Sequence, residues 1–383
     1  MTNSENTNLS GIYIHVPFCQ SRCIYCDFYS TVYGEDFKDR YVERLLKEMA
    51  DRKNEVDSQV DTIYVGGGTP SCLHTGRIEK MMNHLIQNFS LADNPEITLE
   101  ANPDDVTPSF VKQLVDIGIN RVSLGVQTFD DECLRFIRRR HSSRQAVKAV
   151  HSLVENGIDN VSIDLIFGFP NESVESWEKD LKQALSLPVK HLSAYSLMFE
   201  EGTLLTHMRD GGQIDEIDED LSLRMYDVLL DMTEKKGMEH YEISNFSYPG
   251  FRSHHNSKYW MGAPYVGFGP GAHSFNGVNV RRSNNSDLKS YIHSSDEVPH
   301  EIEFLGADEL CDEFVFTSLR TKEGLDTRSL LARFGIERFN KIIVAAEVHV
   351  KSGLLKEAGG HLSFTHKGFF LSDLVMSDMM IVE

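Results

Sequence analysis

The sequence predicts an α/β protein built on a parallel sheet, with a small C-terminal winged-helix-like α+β domain. Two observations predict it. Six short runs rich in β-branched and aromatic residues alternate with longer amphipathic runs, the pattern of βα units joined by right-handed crossovers. Beyond Gly237 the alternation stops, and helical periodicity returns only from about residue 301. At roughly 150 residues per domain, a chain of 383 residues has room for one large α/β unit and an accessory domain.

Strands are expected at 12–16, 61–65, 96–100, 121–126, 161–166 and 191–197. Helices are expected at 37–52, 78–88, 109–117, 143–155 and 174–185, and a longer one at 216–235. An open doubly wound sheet and a barrel both fit six βα units in series. Residues 238–300 are rich in Tyr, His, Asn, Gly and Ser and show little helical period. Helical patterns at 307–319, 327–334 and 337–351 precede two strand-like runs at 354–357 and 362–364, the order of a winged helix. The resulting division is a flexible N-terminus at 1–10, the α/β unit at 11–245, a connecting segment at 246–300 and the C-terminal domain at 301–383.

Acidic residues number 58 and basic residues 38, a net charge of −20. Such a surface repels phosphate backbones and anionic lipids, which disfavours nucleic acid as a partner, the usual one for a winged helix. No run of 18 apolar residues is present, so an integral membrane protein is not expected. Residues 1–10 lack the basic and apolar regions of a signal peptide, and a cytoplasmic location is expected. Six cysteines are too few for a disulfide scaffold of this size. Cys72, Cys133 and Cys311 read as small buried hydrophobes.

The other three cysteines form the pattern Cys19-x3-Cys23-x2-Cys26, directly after the first strand. A closed zinc site takes four ligands, and this loop offers three thiols. Thiolates also hold iron–sulfur clusters, and three of them on a cubane leave one iron open. A zinc site completed by a distant histidine, or three unligated cysteines, are the other readings. The remaining strand ends carry chemistry too. The second ends in Gly66-Gly67-Gly68-Thr69-Pro70, where backbone can approach a ligand closely. No Gly-Lys-Ser/Thr follows, so this is not a P-loop. The third ends in Glu100-Ala101-Asn102-Pro103 and the fourth in Gly125-Val126-Gln127. The fifth holds Asp164 among Ile163, Leu165 and Ile166, a costly place for a carboxylate without a partner. Arg138, Arg139 and Arg140 form a basic run in an acidic chain.

With these motifs in place, the sequence resembles the radical S-adenosylmethionine (SAM) superfamily. The resemblance implies a partial (β/α)6 barrel, a 4Fe–4S cluster on Cys19, Cys23 and Cys26, and SAM on the open iron. Tyr13, Tyr25, Gly67, Gly68, Thr69, Glu100, Gln127, Arg139 and Asp164 fall on the superfamily's SAM-contact positions. By that resemblance Tyr25 meets the adenine, the glycine run and Glu100 the amino group, Arg139 the carboxylate, and Gln127 and Asp164 the ribose. The motifs from Tyr13 to Pro170 are most similar to the coproporphyrinogen III oxidase-like group. The dehydrogenase of that group carries C-x3-C-x2-C-x-C, and Phe28 stands at the fourth cysteine position here. The HemW-type heme chaperones carry Cys-Asp-Phe, as in Cys26-Asp27-Phe28, and H-N-x-x-Y-W, as in His255-Asn256-Ser257-Lys258-Tyr259-Trp260. The stretch Gly267-Phe268-Gly269-Pro270-Gly271-Ala272-His273 also resembles that family.

This resemblance implies heme as a third bound group and heme-receiving proteins as partners, membrane-associated respiratory proteins among them. No catalytic residue is assigned, and whether the chain acts as an enzyme stays open. Imidazole is a common axial ligand of heme iron, so His255, His273 and His254 are the candidates. Oxygen-independent coproporphyrinogen III dehydrogenation is the alternative function.

Overall fold

The structure is a computed structural model that describes residues 9–382. Of the flexible N-terminus expected at 1–10, residues 1–8 lie outside the described residues. Six strands run in parallel: Ser10–Val16 (β1), Val60–Gly67 (β2), Leu91–Ala101 (β3), Arg121–Gln127 (β4), Asn160–Phe167 (β5) and His191–Ser196 (β6). They neighbour one another in sequence order. A strand order that never reverses has no topological switch point, so the winding is that of a barrel and not of a doubly wound sheet.

Side-chain alternation along these strands separates two environments. In one phase Ile12, Ile14, Ile63, Val65, Leu99, Val122, Leu124, Ile163 and Leu165 are wholly buried. They form the main core with apolar residues of Glu35–Asp51, Thr75–Asn88, Pro108–Ile117, Ser143–Glu155 and Val174–Ser186. The opposite phase is polar: Tyr64, Glu100, Arg121, Ser123, Asp164, Ser193 and Tyr195 line the concave interior. Strand sequence thus specifies a greasy outer layer and a wet lumen.

The barrel does not close. Glu239–Glu242 (β7) and Asn245–Ser247 (β8) extend the sheet antiparallel beyond β6. Tyr265–Phe268 (β9) lies parallel to β1, and His273–Phe275 (β10), Val280–Asn284 (β11) and His300–Phe304 (β12) continue from it antiparallel. The segment expected as a connector at 246–300 is therefore woven into the sheet, and Val266, Phe268, Leu288, Tyr291 and Val298 join the main core. A buried ion pair anchors it. Arg52 and Glu48 meet at 2.6 Å, and Arg52 Nη1 also donates to the Gly267 carbonyl at 2.8 Å. Glu48 accepts from the Gly269 N–H, the Tyr291 hydroxyl and Asn284. A side chain at Gly269 (φ +98°) would stand 2.5 Å from the His15 carbonyl. The glycines of this stretch thus serve close packing on β1.

Beyond residue 304 a second core forms around Cys311, Val315, Leu330, Ile342 and Phe364. Helix Ala307–Leu319 is followed by Thr327–Lys351, which breaks at Gly335 (φ +79°) between the two expected helices. Leu325–Asp326 (β13), Leu355–Ala358 (β14) and His361–Phe364 (β15) make a three-stranded wing, one short strand more than expected. Among the described residues no helix is long and apolar enough to cross a membrane.

Candidate metal and cofactor site

A cavity of about 550 Å³ opens at the carboxyl ends of the barrel strands, where the sequence places its motifs. Cys19, Cys23, Cys26, Tyr25, Gly67, Gly68, Thr69, Glu100, Gln127, Arg139 and Asp164 all line it. Tyr13 does not; its ring stacks behind Tyr64, which does, and its hydroxyl bonds His15 Nδ1 at 3.1 Å. That correction follows from depth: Tyr13 sits mid-strand, one layer below the mouth.

The cysteine loop is pinned on both sides. Cys19 N–H donates to Thr31 O at 2.8 Å, and the Leu205 N–H donates to Ile24 O at 2.9 Å. Ile24 is buried against Leu134, Ile137 and Phe169, which anchors the loop between Cys23 and Tyr25. The glycine run is equally constrained. A side chain at Gly67 (φ +114°) would meet the His15 ring at 2.8 Å, and one at Gly68 would meet Phe18 O at 2.7 Å and Cys19 Sγ at 3.1 Å. The N–H groups of Gly67, Gly68 and Thr69 are engaged by Glu100, Val16 and Phe18. An anion finds no free donor nest among these three N–H groups, whereas an amine in the cavity meets the Glu100 carboxylate beside them.

Glu100 accepts from Tyr64 at 2.8 Å and from the Gly67 N–H at 3.1 Å. Burial, with the nearby Asp164 charge, pushes its carboxyl up to about 7, against the pull of both hydrogen bonds. Asp164 is held through both oxygens by Ser123 Oγ at 3.1 Å, and burial raises its carboxyl too. Gln127 adopts φ +69° at a bulge after Gly125, strained backbone of the kind functional sites retain.

The arginine run divides three ways. Arg138 (φ +61°) turns outward. Arg140 pairs with Asp104 and Asp105, each at 3.1 Å. Arg139 enters the cavity, donating to Asn102 and the Gly125 carbonyl and lying 3.6 Å from Cys23 Sγ.

Sequence reasoning missed several lining residues. Arg121 is 1% exposed, its Nε has no partner, and its nearest side-chain bond is a long 3.5 Å to Thr98. A lone arginine at the head of an apolar strand was the available signal. Asn256 also lines the cavity, a neighbour of His255 in the H-N-x-x-Y-W motif.

His255 corrects an expectation. It is buried, with Nδ1 bonded to Thr62 Oγ1 and Nε2 to the Tyr259 hydroxyl, both at 2.9 Å. Burial, aided by the charges of Lys258 and Arg121, takes its pKa down to about 3. With no free nitrogen it fastens helix His254–Met261 to β2 and is not placed to ligate iron. His254 and His273 are exposed, and neither lines this cavity.

The donor set suits a cluster. Three thiols border a cavity in which an arginine approaches one sulfur, and a side chain at Gly68 would crowd another. Among the described residues no three His, Cys, Asp or Glu side chains close on a single metal ion. A cubane makes no such demand, since each thiolate takes a different iron.

Comparison with known proteins agrees with this geometry. The Radical SAM superfamily matches residues 13–184, and the HemN C-terminal domain matches 305–371. The heme chaperone HemW of Lactococcus lactis is 33% identical over 374 residues, 97% of each chain. The chain belongs to the HemW family. The Bacillus subtilis HemW is 32% identical over 96% of this chain and 98% of its own. Coproporphyrinogen III oxidase (HemN) from Escherichia coli superposes with a TM-score of 0.85 over 98% of this chain and 91% of its own, at 22% identity, a likeness of fold. Membership of the HemW family within the radical SAM superfamily brings a 4Fe–4S cluster and SAM as cofactors.

Proposed function

We propose that this protein is a heme chaperone: it binds heme beside a radical SAM site and passes it to recipient proteins. The observation that carries the reading is Phe28, 64% exposed on the rim of the cysteine cavity. A phenyl ring there can be neither a thiolate nor a proton donor, so a reaction that needs a fourth cysteine is lost. Near full-length similarity to HemW supports the same reading. Membrane-associated respiratory proteins fit as recipients. Six free cysteines suit a reducing compartment such as the cytoplasm.

In this reading Cys19, Cys23 and Cys26 hold the cluster, which when bound supplies one electron at a time. Glu100 receives the SAM amino group, Arg139 its carboxylate, Asp164 and Gln127 the ribose hydroxyls, and Tyr25 borders the adenine. Glu100 sets a pH dependence. Its carboxyl sits near 7 in the free protein, so at pH 6 it is mostly protonated and must lose that proton to receive the amine. SAM binding should therefore tighten by roughly tenfold between pH 6 and 7.5. Glu100→Gln should weaken SAM binding by about 1.5–3 kcal/mol and remove this part of the slope. An equal slope in variant and parent would contradict the assignment.

The reading itself is tested by titrating reconstituted protein with hemin and following the Soret band. Saturable binding of about one hemin per chain is expected, and a linear, unsaturable response would contradict the chaperone role.

A further inference from the structure

We propose that heme sits in a second cavity, between the open barrel edge and the C-terminal domain; this rests on the chaperone reading. The cavity measures about 460 Å³ and shares no lining residue with the cysteine cavity. Trp260, Tyr265 and Phe275 border it from the barrel edge, and Phe314 and Phe316 from helix Ala307–Leu319. Such rings receive a flat apolar macrocycle.

Two cations complete the seat. Arg333 lies over the Phe314 ring at 4.6 Å. Arg281 pairs with Glu313 at 2.8 Å, and its buried Nε has no partner. The Trp260 Nε1 is likewise buried without a partner. Of the two carboxylates present, Glu313 takes only the Nη2 end of Arg281, which leaves the Nε of that guanidinium to a ligand, and Asp312 is held by the N–H groups of Ile381 and Val382. Aromatic walls with two guanidinium groups match a planar dicarboxylate, and a porphyrin's two propionates are its anionic end.

Among the described residues no histidine lines this cavity. The macrocycle is then held by its rings and carboxylates without an imidazole on iron, which suits a carrier that must yield heme to a recipient able to supply one. Helix His254–Met261 ties the two cavities together: Asn256 borders the cofactor cavity, and Tyr259 and Trp260 border this one.

The test compares hemin with metal-free protoporphyrin IX on the reconstituted full chain. Parent protein should bind both, within a few-fold of each other. Arg281→Gln combined with Arg333→Gln should weaken both by roughly tenfold or more, the loss of charge-assisted bonds, while iron content and SAM binding persist. Met380→Trp should block both ligands, since Met380 borders the cavity and is partly exposed. Parent-like porphyrin affinity in these variants, or binding of hemin without protoporphyrin IX, would overturn this seat and leave the chaperone reading standing. Failure of the parent protein to bind either ligand would overturn both.

Discussion

Arg52→Ala should lower the stability of the protein by about 3–5 kcal/mol, the cost of leaving one member of a buried ion pair alone. Arg52 is 5% exposed and Glu48 1%. Removing the guanidinium strands a carboxylate that otherwise receives the Gly269 N–H, Tyr291, Asn284 and Arg52 together. It also frees the Gly267 carbonyl and Ser274, which Arg52 ties to the end of helix Glu35–Asp51. The damage should therefore spread to the seam between β9 and β1. Urea unfolding measures it. Arg52→Met combined with Glu48→Gln should recover part of the loss, because no buried charge is then left unpaired; Glu55, which also pairs with Arg52 at 2.7 Å, is open to solvent. A cost below 1 kcal/mol for Arg52→Ala would show that the pair is not what holds the extension to the barrel.

Cys23→Ala should abolish the cluster. After anaerobic reconstitution the parent should hold about four irons per chain and the variant almost none, read by iron analysis and the charge-transfer absorption. Cys19→Ala and Cys26→Ala should behave alike. Cys72→Ala is the control. Its thiol points to Phe18 O at 3.6 Å, and burial pushes it up to about 12, so it rests as a neutral hydrogen-bonded thiol. A Cys23→Ala protein that keeps four irons, or a parent whose only tightly held metal is zinc, would contradict the cluster assignment.

Much of this architecture was legible because each barrel strand carries its own period-two record. Ile63 and Val65 alternate with Thr62 and Tyr64, and Ile163 and Leu165 with Ser162 and Asp164. That record locates the strands and also places polar groups at their carboxyl ends, where a barrel gathers its ligands. The strands between 239 and 304 left no such record. They are three to five residues long, interrupted by glycine and asparagine turns, and are strands because a sheet edge is there to pair with. The role of His255 was hidden for a related reason. Of its two partners, Tyr259 lies one turn further along the same helix, but Thr62 meets it only when that helix docks on β2. Arg139 could not be separated from its neighbours by composition. The positive φ at Arg138 and the acidic pair Asp104 and Asp105 divide the run.

The measurement that bears most directly on the account is an anaerobic incubation of reconstituted protein with SAM, a reductant and coproporphyrinogen III, with the porphyrinogens resolved after oxidation. Coproporphyrinogen III should remain and no protoporphyrinogen IX should form, because Phe28 occupies the position of the thiol that the decarboxylation pattern carries. Conversion to protoporphyrinogen IX over several turnovers would contradict it.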